Sequence, residues 1–161
     1  MKTVLFVCTG NSCRSPMAEA IMGELVDDHP RLSGTIEAES AGTMACEGAE
    51  MTPYAQLALE QMGIRPGRHR AQQLTPELAE KADLILTMEA QHIDEVEALC
   101  PQARDKAHTL KGYAAGVDGF PGDEEYDIQD PFREPLDVYI ETAEEIRDAV
   151  ARVLQRLEQE A

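Results

Sequence analysis

Short apolar runs alternate with amphipathic stretches from one end of this chain to the other, and that alternation restricts the fold more than any single motif does. "TVLFV" (3–7) is apolar throughout and rich in β-branched residues, as suits a strand buried on both faces. Ser15 and Pro16 then read as the cap and first turn of a helix with Met17, Ile21, Met22, Leu25 and Val26 on one stripe. "TIEAESAG" (35–42) alternates like a second strand. "TPYAQLALEQMG" (52–63) has the threonine, proline and closing glycine of a helix, and "LTPELAEKA" (74–82) repeats the Thr-Pro start. "DLILTM" (83–88) reads as another buried strand, "EAQHIDEVEAL" (89–99) as a helix and "KAHTL" (106–110) as a short edge strand. From Leu136, the residues Tyr139, Ala143, Ile146, Val150, Val153 and Leu157 mark a long amphipathic helix. No repeat or linker interrupts the pattern. The expectation is one α/β domain over 1–161, with a short, doubly wound parallel sheet flanked by helices.

In such sheets ligands bind beyond the carboxyl ends of the strands, and Cys8 ends the first one. The segment "FVCTGNSCRSPMAEA" (6–20) therefore carries the chemistry. Its loop, Cys8, Thr9, Gly10, Asn11, Ser12, Cys13, Arg14 and Ser15, leaves a strand and enters a helix. Successive N–H groups and the helix dipole can converge there on one anion. Five residues between Cys8 and Arg14 suffice to wrap a tetrahedral oxyanion, with the thiol beneath it and the guanidinium gripping two oxygens. Gly10 and Asn11 are residue types that tolerate positive φ, which a tightly curled loop needs. The same field favours the reactive thiolate. A bare Cys-x5-Arg spacing is permissive; the strand before it and the helix after it make it informative.

A nucleophile of this kind needs a proton donor for the leaving group. "DIQDPFREP" (127–135) offers Asp130, with Pro131 restraining the backbone and Phe132 supplying an apolar wall. Asp123, Glu124, Glu125 and Asp127 compete for the role, and the stiffness of Asp130-Pro131-Phe132 favours Asp130.

Composition narrows the partners. Thirty-one acidic against 14 basic side chains give a formal charge of −17, which repels nucleic acid and anionic membranes. The opening "MKTVLFVCTG" lacks the length of a signal peptide or a membrane span, which points to a cytoplasmic protein. Cys8, Cys13, Cys46 and Cys100 should then be reduced, and their spacing with four histidines fits no zinc pattern, so neither metal nor cofactor is expected. Cys13 stands close to Cys8 in the chain and is a candidate resolving thiol for an oxidised Cys8.

"VCTGNSCRSPMAEA" with "SAG" (40–42), "KADLILTM" (81–88) and the late "DPF" resembles the low-molecular-weight protein-tyrosine-phosphatase family over essentially the whole chain. The resemblance implies a cysteine-dependent protein phosphatase acting on a phosphorylated protein. Cys8 would form a phosphocysteine intermediate, Arg14 would bind phosphate and Asp130 would serve as general acid and base. It further implies that Asn11, Ser15, Ser40 and His69 support the loop by hydrogen bonds. Ser12 and Phe132 are the specificity positions: family members selective for phosphotyrosine carry a bulky aliphatic residue at the position of Ser12, and phosphoarginine phosphatases a threonine, which Ser12 resembles more closely.

Thioredoxin-coupled arsenate reductases share the Cys-Thr-Gly-Asn-Ser-Cys-Arg-Ser run, but have glutamine in place of Pro16 and need two relay cysteines. Here Met88 occupies the first relay position, and only Cys100 stands near the second. A redox-sensing, phosphoprotein-binding module with little turnover is a further alternative. "DPFREP" also departs from the glycine pair that many bacterial members have after Asp-Pro-Phe.

Overall fold

A computed structural model describes residues 1–117 and 124–161. Four strands form one parallel sheet: β1 (Lys2–Cys8), β2 (Ile36–Gly42), β3 (Leu84–Thr87) and β4 (Ala107–Thr109), in the order β2-β1-β3-β4. The helices are α1 (Arg14–Leu25), α2 (Pro53–Gln61), α3 (Pro76–Lys81), α4 (Ala90–Leu99), α5 (Leu110–Ala114) and α6 (Leu136–Glu160).

β1 is central and shows why its sequence is apolar without interruption. Val4, Phe6 and Cys8 face a core shared with α1, α2 and α6, whereas Leu5 and Val7 face a second core with α3 and α4. Successive side chains on a strand point to opposite faces, so a central strand covered on both sides is apolar from Val4 to Cys8, with the polar Lys2 and Thr3 confined to its start. The stripe expected on α6 is buried from Tyr139 to Leu157. "KAHTL" supplies the edge strand β4, and residues 101–106 before it form a 3-10 turn.

The cap of α1 differs from expectation. The helix begins at Arg14, Cys13 is its N-cap residue, and no side chain caps it. Ser15 lies inside the first turn with its hydroxyl turned toward Cys8. Pro16 is accommodated because a helix's first turn needs no donor from it. Thr75 caps α3 as read, accepting from Leu78 N–H, while Thr52 precedes α2 without a capping bond and lies instead beside Cys13. Gly63 closes α2 at φ 76°.

β1 pairs with β2 so that Cys8 lies opposite Gly42, and with β3 so that Val7 lies opposite Thr87. The C-terminal ends of three strands, and the loops that follow them, therefore meet at one edge of the sheet. Among the described residues, no helix is long and apolar enough to cross a membrane.

Candidate active site

The loop 8–15 curls back on its own strand end. Asn11 adopts φ 54° and is fully buried, so the left-handed turn falls on Asn11 and not on Gly10. A side chain at Gly10 would meet only Ser12 Oγ, at an ordinary 3.5 Å. Asparagine tolerates this conformation because its short amide finds partners nearby. Asn11 Nδ2 donates to Ser15 Oγ at 2.9 Å, and Asn11 Oδ1 accepts from Gln72 N at 2.9 Å. His69 Nε2 donates to the Asn11 carbonyl at 2.7 Å.

Two donors are directed at the Cys8 sulfur. Asn11 N–H lies 3.3 Å away, and Ser15 Oγ, which already accepts from Asn11, has its own proton free for the sulfur at 2.9 Å. Such an arrangement suits a sulfur that carries negative charge.

Arg14 is 2 % exposed and held from the far side of the sheet edge. Its Nη1 donates to Glu89 Oε2 at 2.6 Å and to the Ile128 carbonyl at 2.7 Å, while Nη2 lies 3.6 Å from Asp130 Oδ2. Glu89 opens α4 in a reciprocal capping arrangement with His92. Because His92 Nδ1 accepts from Glu89 N–H, its proton is on Nε2, which donates to Thr9 Oγ1 at 3.0 Å. Burial, reinforced by the Arg14 charge, pushes the His92 pKa below its ordinary value, so the ring is neutral.

The segment carrying Asp130 is anchored at its root. Asp127 Oδ1 accepts from Ala90 N at 2.7 Å, and Ile128 N donates to the Met88 carbonyl at 2.8 Å. Asp127 is thus engaged at the start of α4, and Asp123 lies outside the described residues. Asp130 itself is half exposed and accepts from Phe132 N–H at 3.1 Å, an Asx-type turn that stiffens the loop. Cys8, Thr9, Gly10, Ser12, Cys13, Arg14, Asp130 and Phe132 together line a cavity of about 220 Å³.

Two expected supports divide. His69 bonds the loop directly. The Ser40 hydroxyl donates instead to Glu19 at 2.6 Å, and Ser40 reaches the loop only through its carbonyl, which accepts from Gln72 Nε2. Cys13 Sγ lies 3.3 Å from Thr52 Oγ1 and 3.7 Å from the Tyr139 hydroxyl. Burial raises the Cys13 pKa, and burial beside Cys13 pushes Tyr139 to about 12. Glu89, His92, Gln72 and Gly42 carry no site role in the sequence reading. A Cβ at Gly42 would approach Thr9 O to 2.5 Å and Asn11 N to 2.9 Å, so only glycine lets the loop lie against β2. Among the described residues, no three His, Cys, Asp or Glu side chains are grouped to hold a metal ion.

A thiol at the floor of an oxyanion-sized cradle, with a buried guanidinium on one side and a carboxyl loop above, defines a class of cysteine-based phosphoryl-transfer sites on a parallel α/β sheet. The chain belongs to the low molecular weight phosphotyrosine protein phosphatase family, which matches residues 3–161. It is 38 % identical over 157 residues to a protein-arginine-phosphatase of Geobacillus stearothermophilus, covering 98 % of this chain and 97 % of the relative. It is 36 % identical over 157 residues to a probable low molecular weight protein-tyrosine-phosphatase, EpsP, of Ralstonia nicotianae, with the same coverage of 98 % and 97 %. A solved structure of a YwlE arginine phosphatase mutant with a phosphorylated active site serine superposes with a TM-score of 0.86 at 35 % identity, covering 98 % of this chain and 96 % of that one.

Proposed function

We propose that this chain, as one catalytic domain over 1–161, is a cysteine-dependent protein phosphatase that acts in the cytoplasm on phosphorylated proteins, without metal or cofactor. The observation that carries this reading is the pair of donors at the Cys8 sulfur, at the floor of a cavity shared with Arg14 and Asp130.

In the first step Cys8 Sγ attacks phosphorus. The S–P bond forms, the bond to the substrate's oxygen or nitrogen breaks, and Asp130 gives that atom its proton. Loop N–H groups and Arg14 hold the equatorial oxygens as charge redistributes over them. In the second step water attacks phosphorus, its proton passes to the Asp130 carboxylate, and the S–P bond breaks to release phosphate and the Cys8 thiolate. Ser15 and Asn11 stabilise the sulfur as it leaves. The phosphorylated active site serine in the related arginine phosphatase is a parallel to the S–P intermediate.

Phosphoarginine is the favoured substrate residue, with phosphotyrosine second. Ser12 lines the cavity with a hydroxyl able to accept from a guanidinium, where an aliphatic side chain would pack on a phenyl ring. The thiol-relay chemistry of arsenate reduction is disfavoured. Met88 is buried where a relay cysteine would stand, and Cys100 belongs to the core on the opposite face of the sheet from Cys8. The test is turnover of matched phosphoarginine and phosphotyrosine peptides, and of arsenate with thioredoxin, by one preparation with chelator present. Phosphate release from the peptides is expected. Thioredoxin-dependent arsenate reduction, or a requirement for a divalent ion, would overturn the proposal.

A further inference from the structure

Next to Phe132, which lines the cavity, stands a residue whose backbone conformation is unfavourable for its type. Glu134 N–H donates to the Pro131 carbonyl at 2.9 Å, closing a turn whose central residues are Phe132 and Arg133. Arg133 has φ 70°, the left-handed third position of a type II turn, where glycine is free and a branched-out side chain is strained. Only one other non-glycine among the described residues has positive φ: Asn11, at the heart of the cradle. A chain that keeps arginine at such a position forgoes stability that glycine would supply.

What the arginine does there is visible in its surroundings. The guanidinium carbon lies 5.4 Å from the centroid of Phe132, a 54 %-exposed ring that forms the wall of the cavity. This contact places a positive charge against a ring that lines the cavity. No carboxylate among the described residues pairs with it, although the chain carries a formal charge of −17. Arg14, the cation that lines the cavity itself, is occupied by Glu89. Arg133 is thus an exposed positive charge stacked on a cavity-lining ring, on a protein whose net charge repels acidic chains.

We propose that Arg133 is a specificity-determining residue that selects phosphoprotein segments with a carboxylate next to the phosphorylated residue. This deepens the phosphatase reading above and rests on it. The mechanism is a charge-assisted contact from the guanidinium to the neighbouring Asp or Glu, with Phe132 holding the guanidinium in place.

The experiment compares kcat/KM for matched phosphopeptides that carry Glu or Gln on both sides of the phosphorylated residue. The native enzyme is expected to favour the Glu peptide about three- to fivefold at low salt, and the preference should fade at 0.5 M salt. Arg133→Gln should abolish the preference, chiefly through KM, and Arg133→Lys should keep part of it. Arg133→Gly should also abolish it, while raising Tm by about 2–4 °C through relief of the strained φ. A native enzyme indifferent to flanking charge, or Gln and Lys variants that lose preference equally, would overturn the role of Arg133 and leave the phosphatase reading intact. Absence of turnover on every peptide would instead overturn the phosphatase reading, and the selectivity inference with it.

Discussion

Arg14 and Glu89 are 75 positions apart in the sequence and 2.6 Å apart in space. The ion pair joins the helix after β1 to the helix after β3, and aims the guanidinium across the cavity. It also neutralises a charge that is 2 % exposed. Removing the carboxylate strands that charge. Glu89→Ala should cost about 2–3 kcal/mol in urea denaturation, below the usual cost of orphaning a fully buried charge because Glu89 is 22 % exposed. Glu89→Gln, which keeps an acceptor oxygen, should recover about half. A loss below about 0.5 kcal/mol for the alanine variant would mean that Ile128 O and solvent satisfy Arg14 by themselves.

Asp130 lies 3.6 Å from Arg14 Nη2 at the cavity mouth. In its proposed role as proton donor it matters most when the departing atom is basic. Asp130→Ala should therefore slow phenyl phosphate by about 10²–10⁴-fold and an activated nitroaryl phosphate far less. Equal losses on both would assign the proton to another group.

Ser12→Ile exchanges a hydroxyl on the cavity wall for aliphatic surface. Apolar contact with a phenyl ring and loss of a guanidinium partner each contribute about 1 kcal/mol. The ratio of kcat/KM for phosphotyrosine over phosphoarginine peptides should rise by about tenfold or more. An unchanged ratio would remove Ser12 from the list of selectors.

Cys13 bears on oxidation. Peroxide should convert Cys8 to a sulfenic acid that the Cys13 thiol captures, expelling water and forming a disulfide that a dithiol reverses. Burial raises the Cys13 pKa, so the capturing thiolate becomes available only in the alkaline range, and disulfide formation should accelerate as pH rises from 7 to 9. Mass spectrometry locates the linkage. Cys13→Ser should inactivate less reversibly, and recovery equal to wild type would leave Cys13 with a packing role alone.

His92 should leave a signature in stability against pH. Its folded pKa is lowered by burial and by Arg14, whereas the unfolded imidazole titrates near 6.5. The unfolded chain therefore binds the extra proton first. The contribution of His92 is fully present above about pH 7 and is lost as pH falls through 6.5 toward the folded pKa. Between pH 7.5 and 5 the Tm of the native protein should drop further than that of His92→Gln. Parallel curves would show that the ring protonates without penalty.

The parallel sheet, the strand that ends at Cys8 and the helix that starts beside Arg14 were legible because each is written in a local pattern of apolar spacing and Pro placement. The loop from Cys8 to Ser15 that joins that strand to that helix was legible for the same reason. Ser15 was misread as a cap because Ser-Pro is a strong local signal, and the competing partner, Cys8, becomes available only once the loop curls. Glu89 and His92 read as an ordinary helix start, which they are. Their second bonds, to Arg14 and Thr9, depend on β1 and β3 lying side by side. Gln72 carries no mark at all in "AQQL", since its bond to Asn11 is made by the main chain.

Gly42 has a consequence for how the site comes into being. With Thr9 O and Asn11 N packed where its side chain would stand, the cradle is moulded on the backbone of β2 as well as held by its own bonds among Cys8, Asn11 and Ser15. A nascent chain that ends before residue 36 would contain every residue from Cys8 to Ser15 and still lack the surface against which they pack. Docking of the second strand is therefore one condition for a finished site, and the later bonds of His69 and Gln72 to Asn11 and of Glu89 to Arg14 complete it.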